Sequence, residues 1–142
     1  MLDGNALIYQ LLTPFALTEN VTLRPDMDVS RDDGLPLVTF TGRPGTSLAN
    51  DGGGVAPMAW YWGLDFSVFT ESHDEAKSLS GRLYDFVHGW NNVWGKTHIV
   101  RDLGHASTVT DRALFSKLMS TEVNGHNITQ FVGAFDLQLH QA

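Results

Sequence analysis

The segment PMAWYWGLDFSVFTE, residues 57–71, constrains this chain more than any other. Met58, Trp60, Trp62, Leu64, Phe66 and Val68 alternate with Ala59, Tyr61, Gly63, Asp65, Ser67 and Phe69. Period two held over a dozen residues predicts a long, half-buried strand, because successive side chains of a strand point to opposite faces. The second series carries Tyr61 and Phe69, so that face is not simply solvated. A strand of this length can leave aromatic surface for a partner. Directly behind it, SHDEAKSLSGRLYDFV switches to helical period. Ser72 and Glu75 form a capping box, and Asp74 and Glu75 sit at the positive end of the helix dipole. Ala76, Leu79, Leu83, Phe86, Val87 and Trp90 then mark one continuous apolar face, which predicts the main core helix, packed on the sheet. Gly89 weakens its end, and Asn91, Asn92 and Gly95 supply an exit turn.

The flanking chain reads less sharply. Residues 3–13 predict a short helix with Leu7, Ile8, Leu11 and Leu12 on one stripe, stopped by Pro14. Val21 to Leu23 predicts a brief strand, and PLVTFTG from Pro36 a better one, closed by Gly42 and Pro44. The stretch RPGTSLANDGGGVA, residues 43–56, has little to bury and a glycine triplet at Gly52, Gly53 and Gly54. It predicts a long tongue-like loop, a feature that inside a compact domain is usually functional or disordered. It is not a phosphate-binding loop: no Lys-Ser/Thr pair follows and no helix opens after it. Residues 98–103 predict a strand, and Thr110-Asp111 a capped single turn running through Leu114 and Phe115. Asn124-Gly125 is a hairpin signal joining 117–123 to a final strand, 128–140. In that strand Phe131, Gly133, Phe135, Leu137 and Leu139 form the inward series.

Length and charge limit what such a chain does. At 142 residues and 15.7 kDa it is expected to be one domain, residues 1–142, burying roughly two-thirds of its surface. The absence of cysteine excludes disulfide scaffolds, cysteine zinc sites and thiol catalysis. No apolar run reaches the length of a membrane span, and the first helix lacks the basic flank of a signal peptide, so a soluble, intracellular protein is expected. A net charge of −7 argues against a general nucleic-acid binder. The charge is lopsided: residues 1–71 hold nine acids and three bases, residues 72–142 seven and six. Asp26, Asp28, Asp32 and Asp33 make either a solvated loop or part of one acidic surface.

Searches for chemistry come back empty. The six histidines are dispersed over many elements, with no HExxH and no His-x-His. His98, Asp102 and His105 would converge only if their segment turned back on itself. There is no Gly-x-Ser-x-Gly elbow, and Ser80 lies mid-helix as a small packing residue. Asp32-Asp33 and Asp74-Glu75 are sequence neighbours explained by a loop and a helix start, not convergent acid–base pairs. The residues point to no catalytic group and no cofactor, and the chain is read as a non-enzyme. What remains is a surface pattern: an acidic face, a long aromatic strand and a glycine-rich tongue, traits of a subunit that completes its structure in an assembly.

The order of elements resembles a known family. A short N-terminal helix, a proline-bounded strand (36–41), a long aromatic strand (58–70) running straight into SHDEAKSLSGRLYDFV, and a final alternating strand (128–140) look like the tail terminator family of long-tailed, non-contractile bacteriophages, the lambda-type tail completion proteins. The resemblance spans nearly the whole chain and is one of pattern. It implies an α+β fold with a mixed, mainly antiparallel sheet and two helices packed on one face. It also implies a ring of copies, typically a hexamer, that caps the tail tube, ends its polymerisation and offers a surface to the neck or connector protein, with DNA passing through without specific binding. The location implied is the virion tail end, and the host cytoplasm during assembly. Arg43, Leu48, Asp51 and Val55 in the tongue, with Tyr61 and Phe69 on the long strand, are then candidate assembly contacts. Asp26, Asp28, Asp32 and Asp33 are the candidate acidic lumen or face. Free subunits are expected to be monomers or weak oligomers whose tongue orders on the tube. A neck adaptor or minor tail component is the near alternative, and a small metal- or ligand-binding α+β domain using His98, Asp102 and His105 the distant one.

Overall fold

The computed structural model describes residues 3–25, 34–47, 59–90, 98–100, 104–123 and 125–140. The elements run α1 (Gly4–Glu19), β1 (Thr22–Arg24), β2 (Leu37–Ser47), β3 (Ala59–Thr70), α2 (His73–His88), β4 (His98–Val100), β5 (Gly104–Val123) and β6 (His126–His140). The strands form one sheet in the order β1-β2-β3-β6-β5-β4. Only β1 and β2 are parallel; every other neighbouring pair is antiparallel. The fold is therefore α+β, with a mixed, mainly antiparallel sheet.

β3 is the spine. Its even series turns inward, with Trp62, Leu64, Phe66 and Val68 all buried. Its register places these residues against Pro44, Gly42, Phe40 and Val38 of β2 and against Leu137, Phe135, Gly133 and Phe131 of β6. That face carries both helices: α1 contributes Leu7, Ile8, Leu11, Leu12 and Phe15 to the core, and α2 contributes Ala76, Leu79, Leu83 and Val87. Trp90, just past α2, is fully buried with them. The helices meet each other through Phe15 and Phe86, 5.3 Å between ring centroids, and through Arg82 to Glu19 at 2.7 Å.

Both helices begin at a side-chain cap. Ser72 accepts a hydrogen bond from the Glu75 amide at 3.2 Å, and Asp3 accepts one from Ala6 at 3.0 Å. The expected stop at Pro14 does not occur, and α1 runs five residues further to Glu19. Proline removes the bond to the carbonyl of Gln10, which is exposed and so open to water, while Phe15 on the buried stripe rewards continuation. Asn20, in the left-handed region at φ 54°, ends the helix instead.

Two further expectations are corrected. β2 does not close at Gly42; it continues through Pro44 to Ser47, shifting register between those two. The expected tongue therefore loses residues 43–47 to a strand. Likewise Thr110-Asp111 caps no turn: residues 104–123 are all β5. The expected strand over 98–103 is present as β4 at 98–100, and its remainder lies outside the described residues. The exit turn read at Asn91, Asn92 and Gly95 also lies outside them. Among the described residues no helix is long and apolar enough to cross a membrane.

β5 is a single long strand with four irregularities. From His105 to Val123 it has 19 residues facing the 15 from His126 to His140 of β6, and the excess matches its four register shifts. Each shift is consistent with one extra residue bulging on β5, which bends the strand and redirects side chains. The hairpin turns at Gly125, whose φ of +80° suits glycine.

Candidate interaction surface

β5 stays paired with β6 along its length, and its stretch beyond the first few residues, the arm, forms an edge of the sheet. β4 covers it only at Gly104–Ala106. From Thr110 to Val123, no described strand lies on its outer side. Leu114, Leu118 and Met119 are 65%, 59% and 43% exposed there, an unusual concentration of apolar side chains on one strand. The arm is held at its root. Tyr84 Oη donates to Asp111 Oδ2 at 2.7 Å, and His88 Nε2 lies 2.6 Å from Asp111 Oδ1. The hydrogen bond from His88, then that from Tyr84, holds the Asp111 carboxyl below its ordinary range. The same bond pushes the Tyr84 phenol above its usual value, with desolvation adding to it. Both carboxylate oxygens are occupied, so this trio is a tether between α2 and β5, not an available base.

One turn further along, Phe115 lies over Gly133 and packs on Phe66 and Phe135. A Cβ at residue 133 would stand 2.8 Å from that ring. Glycine there lets the arm sit down on the sheet. Between the arm and α2 runs an open groove of about 480 Å³, bordered by Lys77, Ser80, Gly81, Tyr84, Leu114 and Phe131.

The helix-free face bears a charged cluster. Asp65 of β3 receives Arg43 of β2 at 2.8 Å and Arg112 of β5 at 2.7 Å, and Asp136 of β6 stands 3.9 Å from Arg112. Arg112 falls between the paired residues Asp111 and Ala113, where the register shifts, and it reaches Asp65 across β6, where Ala134 is small. Charge is balanced within the cluster, so it ties four strands together and offers little attraction to a free ion.

The candidate residues read from the sequence are thus dispersed. Arg43 joins this cluster. Tyr61 is 46% exposed beside it, bordering an open depression of about 650 Å³ with Arg112 and Asp136. Phe69 is half-buried at the far end of β3, between Leu37 and Gln130. Leu48, Asp51, Val55, Asp26, Asp28, Asp32 and Asp33 lie outside the described residues, as does Asp102. The backbones of His98 and His105 sit on adjacent strands, Ile99 being the residue that pairs with His105. Among the described residues no group of three or more histidine, aspartate or glutamate side chains is placed to hold a metal ion. Sequence reading missed Asp111, Arg112 and the arm itself.

No family model matches this chain, and no curated protein does. One solved structure, whose name states no activity, is similar over 96% of this chain and 94% of its own, with 13% identity and a TM-score of 0.46.

Proposed function

We propose that this chain is a structural subunit that closes the end of a phage tail tube as a ring of copies, stopping tube growth and presenting a surface for head or neck joining. The observation that carries the reading is the β5 arm: Leu114, Leu118 and Met119 exposed on a strand that, beyond Ala106, has no described strand on its outer side. Side chains such as Leu114 and Leu118 at more than half exposure lose stabilisation by staying in water and gain it in an assembly. The element order and the two helices on one sheet face agree with the resemblance to tail terminators. Tail tube protein and neck or connector protein are the partners of this reading, and DNA passes through the ring without specific contacts. The reading assigns no catalytic residue and no cofactor.

Negative-stain microscopy of purified protein mixed with isolated tail tubes tests it. Rings seated on tube ends, with tube extension arrested, are expected. Attachment solely to head–connector particles would replace this reading with that of a neck adaptor, and no attachment to either would remove both.

A further inference from the structure

We propose that the groove between α2 and β5 is a docking site for a short partner segment that carries carboxylates beside a large apolar side chain. The proposal rests on the groove alone and stands apart from the tube-capping reading. The floor of the groove is apolar: Phe131 is buried, Phe115 is partly buried, and Leu114 at its edge is 65% exposed. On the α2 side, nothing stands within 4 Å of where a side chain at Gly81 would begin. An apolar side chain from a partner can therefore reach the backbone of α2 and rest on the two phenylalanines, leaving water at both surfaces.

The charges around that floor select the partner. Arg43, Arg82 and Arg112 are each held by a carboxylate. Arg82 borders the groove, but its guanidinium is occupied by Glu19 and Ser78 at 2.7 and 2.6 Å. Lys77 and Lys117, by contrast, make no ion pair with any described residue. Both stand beside Phe131: Lys77 borders the groove with it, and Lys117 pairs with it across β5 and β6 and so shares its face. In a chain of net charge −7, two unpaired ammonium groups next to an apolar floor mark the place where an acidic segment gains and is not repelled. Asp74 does not neutralise them; it is fully exposed and nearest to His73, at 3.8 Å. The far end of the groove has the opposite sign. Asp85 borders it two turns along α2 from Lys77, about 12 Å at 1.5 Å per residue. Carboxylates are thus drawn to the Lys77 end and turned away from the other, which fixes the orientation of the guest.

The test titrates a synthetic peptide, acetyl-Glu-Asp-Leu-Gly-Lys-amide, into the isotope-labelled full chain and follows the backbone amide resonances. Saturable shifts confined to residues 77–85 and 113–117 are expected, half-saturating at about 1 mM and weakening as salt rises. Replacing the peptide's leucine with serine, or its two acids with lysines, should abolish saturation. Lys77→Glu combined with Lys117→Glu should weaken binding about tenfold, and that chain should gain affinity for the lysine-bearing peptide that the native chain refuses. Equal binding of all three peptides, shifts centred on Arg43 and Arg112, or native affinity in the reversed chain would overturn the proposal. The same shifts appearing without peptide as the chain is concentrated would give the groove to a second copy, and overturn it likewise. Capped tubes with no peptide bound would reject the groove and keep the capping function. A saturating peptide with bare tubes would keep the groove and reject the capping.

Discussion

Asp111 ties the arm to the body with both oxygens of one carboxylate, and that makes its protonation state a handle on the arm. Its pKa is lowered from the ordinary 3.8, so the ionised form is favoured by folding. The resulting stabilisation is full above the unfolded value and is lost as pH falls from about 4 through the folded value. Comparing urea midpoints of the native chain and Asp111→Asn should therefore give a constant gap above about pH 5 that narrows below about pH 4. A gap independent of pH would show that the carboxylate's charge does not hold the arm. Tyr84 reports the same contact from the alkaline side. Its phenol is raised above 10.0 chiefly by the bond to Asp111, so tyrosinate absorbance should show one group ionising late, and that group should return towards 10 in Asp111→Asn. Gly133 tests the packing half of the attachment. A Cβ 2.8 Å from the Phe115 ring forces the ring off its seat. Gly133→Ala should cost about 1–3 kcal/mol in chemical denaturation. Hydrogen exchange should quicken first in residues 113–123.

The elements divide by how local their instructions are. Replacing the cap, Ser72→Ala, should cost about 1 kcal/mol in thermal or urea unfolding, because one hydrogen bond to Glu75 is lost while the helix remains. Removing core volume, Leu83→Ala, should cost about 2–5 kcal/mol, since that side chain is fully buried under β3 and β6. The same distinction explains what could be read from sequence. β3 and α2 were legible because period two, the Ser72 cap and the apolar stripe from Ala76 to Trp90 are each written within a few residues. The hairpin joining β5 to β6 and the inward series of β6 were legible for the same reason. Of β5 only 117–123 was, because four irregularities reset its alternation and break the period-two signal, leaving Thr110-Asp111 to look like a helix cap. α1 outran Pro14 because tertiary burial of Phe15 outweighs one lost backbone bond, a balance no local pattern contains. Arg112 was hidden doubly: its direction comes from a bulge, and its partner Asp65 is 47 residues away.

At the scale of the molecule, the described strands leave the edges of the sheet open in a particular way. β1 covers β2 only at Leu37–Thr39, and β4 covers β5 only at Gly104–Ala106. The β3–β6 register puts these two short strands at opposite ends of the sheet as well as on opposite sides, since Phe69 pairs with Gln130 but Trp60 with Leu139. Long open edges invite uncontrolled strand addition, and folded proteins block it. This chain does so by two means: irregular register along β5, and Pro44 in the uncovered part of β2, where proline lacks the N–H that a neighbouring strand would use. Blunted edges leave the side-chain surfaces, not the backbone ladders, to choose the partner. Pro44→Val restores a donor without changing the helix layer, so it should leave urea stability within about 1 kcal/mol of the native chain. Light scattering should nevertheless show concentration-dependent growth of large, irregular species that the native chain does not form. If Pro44→Val scatters like the native chain at every concentration, the edge of β2 was never a hazard, and proline serves there only to shape the strand.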